Sequence, residues 1–247
     1  MSRSPRDRLI VALDFGSLNS ALDLARSLSS VGCMFKIGSR LFTAAGPESV
    51  RKVAELGAGI FLDLKFHDIP YTVAGAVAAA LHLPGIRLIN VHALGGTAMM
   101  QAAAEALASH KAATASVPKL IAVTVLTSMD GPALRRVGIP GPPGEAVLKL
   151  AKLAKESGLD GVVASALDSR RVRKAFGKDF IILNPGVRPK GPPGVSKGSE
   201  RDDQLRIATP AKAIRAGADY IVVGRPITAA PDPRAAAEAI LHEIESL

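Results

Sequence analysis

Four side chains in this 247-residue sequence stand out for the chemistry they could do together: Lys36, Asp63, Lys65 and Asp68. Asp63 and Lys65 lie two positions apart in an apolar run, so an extended backbone sends both to one face and Leu62 and Leu64 to the other. Alone, an Asp-x-Lys pair also reads as a structural ion pair capping a sheet. Adding Lys36 and Asp68 changes the balance, because gathering four charges in an interior costs more desolvation than their attraction readily returns. Carboxylates beside a lysine favour its ammonium form. That suits a proton donor and argues against a Schiff-base lysine, which must be easily deprotonated.

A second set of residues points to an anion. Val223-Gly224-Arg225-Pro226-Ile227 and Asn184-Pro185-Gly186-Val187-Arg188 each join a glycine, which permits close backbone approach, to an arginine capable of bidentate contact. Either one alone also reads as an ordinary turn; together, at neighbouring strand ends, they indicate a phosphorylated substrate. His67 beside Asp68 and near Asp63 leaves a divalent-ion site open, although the five histidines form no HxxxH or HxH pair. Cys33 reads as a core residue, and His82, His110 and His242 carry no functional signal.

The elements that must position these groups follow from the apolar pattern. Eight short, β-branched runs recur at residues 9–13, 34–37, 60–64, 88–91, 120–126, 161–164, 180–183 and 220–223. Apolar on both faces, they read as buried parallel strands. Between them lie Ala- and Leu-rich segments of helical spacing, including 18–30, 47–56, 72–81 and 97–109. Gly57 and Gly158 close two of the helical segments before the next strand, a common helix end. Eightfold strand–helix alternation predicts α/β architecture, one (β/α)₈ TIM barrel spanning residues 1–247. Active sites of such barrels lie at the C-terminal strand ends, where this sequence carries Asp14, Lys36, Asp63, Lys65, Asn90, His92, Thr127, Ser128, Asn184, Gly224 and Arg225. Residues 186–203, crowded with Gly, Pro and Lys, read as a mobile lid, since long structureless stretches inside a compact domain usually serve function. Residues 138–144 read as a rigid loop.

Composition narrows the class. The chain is 48% hydrophobic but only 4% aromatic, with no Trp, so Ala, Val, Leu and Ile must fill the core. One cysteine excludes an internal disulfide and fits a reducing compartment. The net charge of +9 is dispersed, without the basic blocks and interleaved aromatics of a nucleic-acid binder. It fits a basic surface with some preference for anionic small molecules. No apolar stretch reaches the ~18 residues a membrane span needs. No signal-peptide apolar region follows the basic first residues. The expectation is a cytoplasmic protein without nucleic-acid or membrane partners.

The residues 63–70, DLKFHDIP, carry a DxKxxD motif that resembles the signature of the orotidine 5'-monophosphate decarboxylase family. The resemblance runs nearly the whole chain in order: VALDF at 11–15, FKIG at 35–38, NVHALGG at 90–96, VTVLTSM at 123–129, NPGVRP at 184–189, DDQLRIATP at 202–210 and VVGRPIT at 222–228. It implies conversion of orotidine 5'-monophosphate to uridine 5'-monophosphate and carbon dioxide in pyrimidine biosynthesis, without metal or organic cofactor. Lys65 would protonate ring carbon 6, Asp63 would face the substrate carboxylate, and Lys36 would link the charged array to the ribose. Asp68 would enter the neighbouring subunit's site, making a homodimer the functional unit. Asp14 would bind ribose hydroxyls, and Thr127 and Ser128 would close over the pyrimidine. Arg188, Gln204, Gly224 and Arg225 would grip the 5'-phosphate, with Gln204 delivered by the lid; Thr72 and Pro185 complete the substrate-binding set. Asn184 departs from the family, many of whose members have Thr there, and residues 189–199 look long for a phosphate-gripping loop. The same scaffold also hosts metal-dependent sugar-phosphate decarboxylases and synthases, and could persist as a non-catalytic nucleotide-binding barrel.

Overall fold

A computed structural model describes residues 4–111, 117–189 and 206–247. Eight strands follow one another around a closed, all-parallel barrel: β1 (Leu9–Ala12), β2 (Met34–Gly38), β3 (Ile60–Phe66), β4 (Ile86–His92), β5 (Lys119–Val123), β6 (Gly161–Val163), β7 (Ile181–Asn184) and β8 (Tyr220–Val223). β1 pairs with both β2 and β8, so no edge remains. The register sets Ile10 beside Met34, Ala12 beside Lys36, and Gly38 beside Asp63.

Strands buried on both faces need two cores. Alternate residues point inward, where Ile10, Met34, Phe61, Leu88, Ile121, Val163, Ile181, Tyr220 and Val222 fill the barrel. Their neighbours, such as Leu9, Val11, Phe35, Ile37, Leu62 and Ile89, point outward and pack beneath the helices. With so few aromatics, aliphatic side chains make most of both layers, as the composition requires.

The helices begin where local chemistry favours it. Asp130, Ser165, Thr209 and Asp232 each accept a hydrogen bond from a first-turn backbone N–H, satisfying donors that the helix itself leaves open. Helix Pro70–Ala80 starts two residues before the expected 72, because Pro at the first position gives up only an N–H that has no helical partner. Two other boundaries shift for equally local reasons. The segment 18–30 divides into helix Leu18–Ser27 and a 3₁₀ turn Ser29–Val31. β5 stops at Val123 instead of 126: the Thr124 hydroxyl donates to the Val163 carbonyl at 2.8 Å, and the chain then turns across the barrel mouth. Among the described residues, no helix is long and apolar enough to cross a membrane.

β6 and β7 approach closely at Gly161. A Cβ there would lie 2.2 Å from the Ile181 carbonyl oxygen and 2.5 Å from the Ile181 Cβ, with no flexible side chain free to yield. We therefore predict that Gly161→Ala destabilises the fold by about 1–3 kcal/mol, the range for overpacking a dense interior, read as a lower midpoint of urea unfolding.

Candidate active site

A cavity of about 560 Å³ opens at the C-terminal strand ends. Its floor is the top of the inner core, including Ala12, Phe61, Val123, Leu183 and Val222. Above that floor, β1, β2 and β3 contribute charges in alternating sign. Lys36 Nζ lies 2.7 Å from Asp14 Oδ1 and 3.5 Å from Asp63 Oδ2, while Lys65 Nζ lies 2.7 Å from Asp63 Oδ1. Lys36 and Asp63 are each only 8% exposed. Neither is left uncompensated, which removes the main penalty of burying a charge. Gly38 makes room for the array, since a Cβ there would sit 2.7 Å from Lys36 Nζ.

Asn90, fully buried on β4, ties the array to the backbone. Its Nδ2 donates to Asp63 Oδ1 at 2.7 Å, and its Oδ1 accepts the Lys65 backbone N–H at 2.8 Å. Lys65 is the only non-glycine with positive φ among the described residues, at 50°. A left-handed residue of this kind costs about 1–2 kcal/mol, and the β3–β4 register shifts between Leu62 and Phe66. Simple strand alternation therefore does not hold through Lys65. The left-handed turn interrupts it, and the ammonium still meets Asp63. Asn90 holds both the turn and the carboxylate.

The rest of the wall comes from the loops after β5, β7 and β8: Thr127 and Ser128, then Pro185 through Arg188, then Gly224, Arg225, Pro226 and Thr228. The β7 loop is stitched to its return: Val187 bridges Ala208, and the Arg188 N–H donates to the Ala208 carbonyl at 2.9 Å. Arg206 pairs with the buried carboxylate of Asp168 at the same junction.

Three expectations separate from this set. Asn184 does not face the cavity. It points outward from β7, where its Nδ2 donates to the Ala164 carbonyl and its Oδ1 accepts from the Ser169 hydroxyl. With Leu183 pointing into the barrel, strand alternation sends its neighbour to the helix side. Asp68 and Thr72 are exposed and outside the cavity; Asp68 Oδ1 accepts the N–H of Ile69 at 2.6 Å. Gln204 and most of the lid segment 186–203 lie outside the described residues. The sequence reading missed Arg40 and Thr228 at the cavity rim and gave Asn90 no role. Arg40 follows β2 by two residues in a short helix, where nothing in the spacing announces a site.

His67 does not group with Asp63 and Asp68 as an ion site. Its ring stacks on His92, with centroids 5.2 Å apart and planes 17° from parallel. Among the described residues, no three His, Cys, Asp or Glu side chains are grouped to hold a metal. His92 Nδ1 accepts the Leu94 N–H at 3.3 Å. Burial, then the neighbouring His67 and Lys65 charges, push the His92 pKa down from 6.5 to about 4. A folded-state pKa below the unfolded value means that the unfolded chain takes up the proton first. Stability from neutral His92 is therefore complete above about pH 6.5 and lost as pH falls toward 4. We predict that His92→Asn flattens the pH dependence of unfolding free energy across this window relative to the unaltered protein. Identical slopes in urea titrations would contradict it.

Comparison with known proteins agrees with this geometry. The Orotidine 5'-phosphate decarboxylase / HUMPS family profile matches residues 7–240. The orotidine 5'-phosphate decarboxylase of Nitrosococcus oceani is 50% identical over 98% of this chain and 99% of its own length. That of Moorella thermoacetica is 54% identical over 97% of this chain and 93% of its own. The crystal structure of orotidine 5'-phosphate decarboxylase from Lactobacillus acidophilus superposes with a TM-score of 0.80 at 42% identity, covering 96% of this chain and 99% of that one. The barrel, the charged array at its mouth and full-length similarity to these proteins together show that the chain belongs to the orotidine 5'-phosphate decarboxylase / HUMPS family.

Proposed function

We propose that this protein converts orotidine 5'-monophosphate to uridine 5'-monophosphate and carbon dioxide, as a carboxy-lyase of pyrimidine biosynthesis. The observation that carries the reading is the alternating Asp14–Lys36–Asp63–Lys65 array inside a cavity whose rim bears Arg188 and Arg225. Loss of carbon dioxide breaks the bond from ring carbon 6 and leaves its electron pair in the ring plane, out of reach of π delocalisation. A preplaced ammonium stabilises such a charge as it develops, and an enclosed site strengthens the effect. Lys65 supplies that ammonium and then gives its proton to carbon 6; solvent returns the proton to the amine.

Asp63, held by Lys65 and Asn90, faces the substrate carboxylate, and the repulsion between the two disappears as carbon dioxide leaves. Lys36 and Asp14 take the ribose side of the array. Thr127 and Ser128 cover the pyrimidine, and Pro185 lines the wall beside it. Arg188, Gly224, Arg225 and Gln204 hold the 5'-phosphate, far from the reacting carbon. Their binding energy can be used to close segment 186–203 as a lid and to assemble the site. The route uses neither metal nor organic cofactor.

Asp68 and Thr72 are proposed to serve the site of a second copy. What supports this is their place outside their own cavity, on a segment whose Ile69 is 64% and Tyr71 88% exposed. Exposed apolar side chains grouped in this way mark protein contact surfaces. A homodimer in the cytoplasm, binding this nucleotide and neither nucleic acid nor membrane, is the corresponding reading of its partners and location.

The test is the loss of orotate absorbance with purified protein in excess chelator; no turnover would overturn the assignment. Lys65→Ala is expected to lower kcat by about 10³-fold or more while the fold survives, since both a proton donor and a preplaced charge are lost. Near-normal turnover would remove Lys65 from its role. Mixing inactive Lys65→Ala and Asp68→Ala proteins is expected to restore activity through hybrid dimers, and no restoration would count against a shared site.

A further inference from the structure

We propose that Arg40 is an additional binding residue for the anionic substrate, placed across β1 from Arg225. β1 pairs with β2 on one side and β8 on the other, so the strand ends that lead into Arg40 and Arg225 flank the one that leads into Asp14. Arg40 lines the cavity with Asp14, Phe15 and Lys36. Its guanidinium lies along the backbone just past Asp14: a Cβ built on Gly16 would be 3.8 Å from Arg40 Nη2 and 4.0 Å from Nε.

Two observations bear on what Arg40 does there. Among the described residues Arg40 has neither ion pair nor hydrogen bond; several surface arginines share that state, but of these Arg40 is the one that lines the cavity. It also stands in the first turn of helix Ser39–Ala45, which has no acidic residue there. The amino end of a helix is the positive end of its dipole, where a cation is disfavoured and an anion favoured. A cation at that point gains nothing from the helix, and no described residue offers it a partner. Its position is accounted for by a ligand that brings negative charge to the cavity mouth.

The ligand class is a nucleoside monophosphate. Arg40 lies against the backbone just past Asp14, at the end of the Asp14–Lys36–Asp63–Lys65 array opposite Lys65, so it meets the ribose–phosphate edge, away from the reacting carboxylate. Its contribution then falls on ground-state and transition-state binding alike, which raises KM and leaves kcat unchanged on substitution.

The inference rests on reading the cavity as a nucleotide site, so the deciding measurement does not depend on turnover. Binding of uridine 5'-monophosphate is measured by calorimetry for the unaltered protein, Arg40→Gln and Arg40→Lys. Arg40→Gln is expected to weaken binding about tenfold, the loss that goes with one charge-assisted contact at an exposed rim, with partial recovery in Arg40→Lys. Arg40→Gln is also expected to raise Tm by about 1–3 °C, because the clash with the helix dipole is relieved. In the decarboxylation assay KM should rise with kcat held. Unchanged nucleotide affinity, or a fall in kcat with affinity intact, would overturn the proposal. Lower affinity accompanied by a lower Tm would assign Arg40 a structural role and overturn it equally. Failure of the unaltered protein to decarboxylate, with the binding differences intact, would remove the proposed reaction and leave Arg40 as a nucleotide contact.

Discussion

Two lysines and two carboxylates meet at the barrel mouth, and the buried pair, Lys36 and Asp63, is stable there only because each charge has its partners in place. The order Asp14, Lys36, Asp63, Lys65 follows the order of β1, β2 and β3 around the barrel, so strand register sets the spacing of charge. A slip of one residue in any of these strands would turn a charge into the aliphatic layer beneath the helices. Closing the barrel removes that freedom, since every strand is held from both sides.

Asn90 extends the same dependence to β4. One side chain bonds to a backbone N–H and to a carboxylate, so the left-handed turn at Lys65 and the orientation of Asp63 are a single arrangement. The local strain at Lys65 is offset by groups that the array needs in any case. Below the polar layer the interior is aliphatic, with low side-chain entropy to lose and little room to shift. That rigid floor lets fixed charges act without reorganising during reaction.

The strands were legible because burial on both faces leaves continuous β-branched runs, a strong local signal. The strand-end polar residues were legible because period-two alternation predicts their direction. The failures come from strand-end position read without that rule, and from a break in the rule itself. Position at a strand end alone put Asn184 in the site, whereas alternation from the inward Leu183 assigns it to the helix side. Alternation, in turn, treated Lys65 as regular strand, because its positive φ goes with a contact 25 residues away in sequence and leaves no local mark. Arg40 went unread for a similar reason. Its cavity position depends on how a short helix leaves β2, and its lack of a partner among the described residues shows only in three dimensions.

The bridge between Val187 and Ala208, with Arg206 anchored on Asp168, brings the two ends of the β7–β8 connection together. A segment pinned in this way is thermodynamically a closed ring attached at one point. For such a ring, doubling its length costs only about 0.6 kcal/mol of closure entropy. Lineages of this barrel can thus lengthen or shorten the connection with little effect on the eight strands. Length variation among relatives should therefore concentrate between these two anchors.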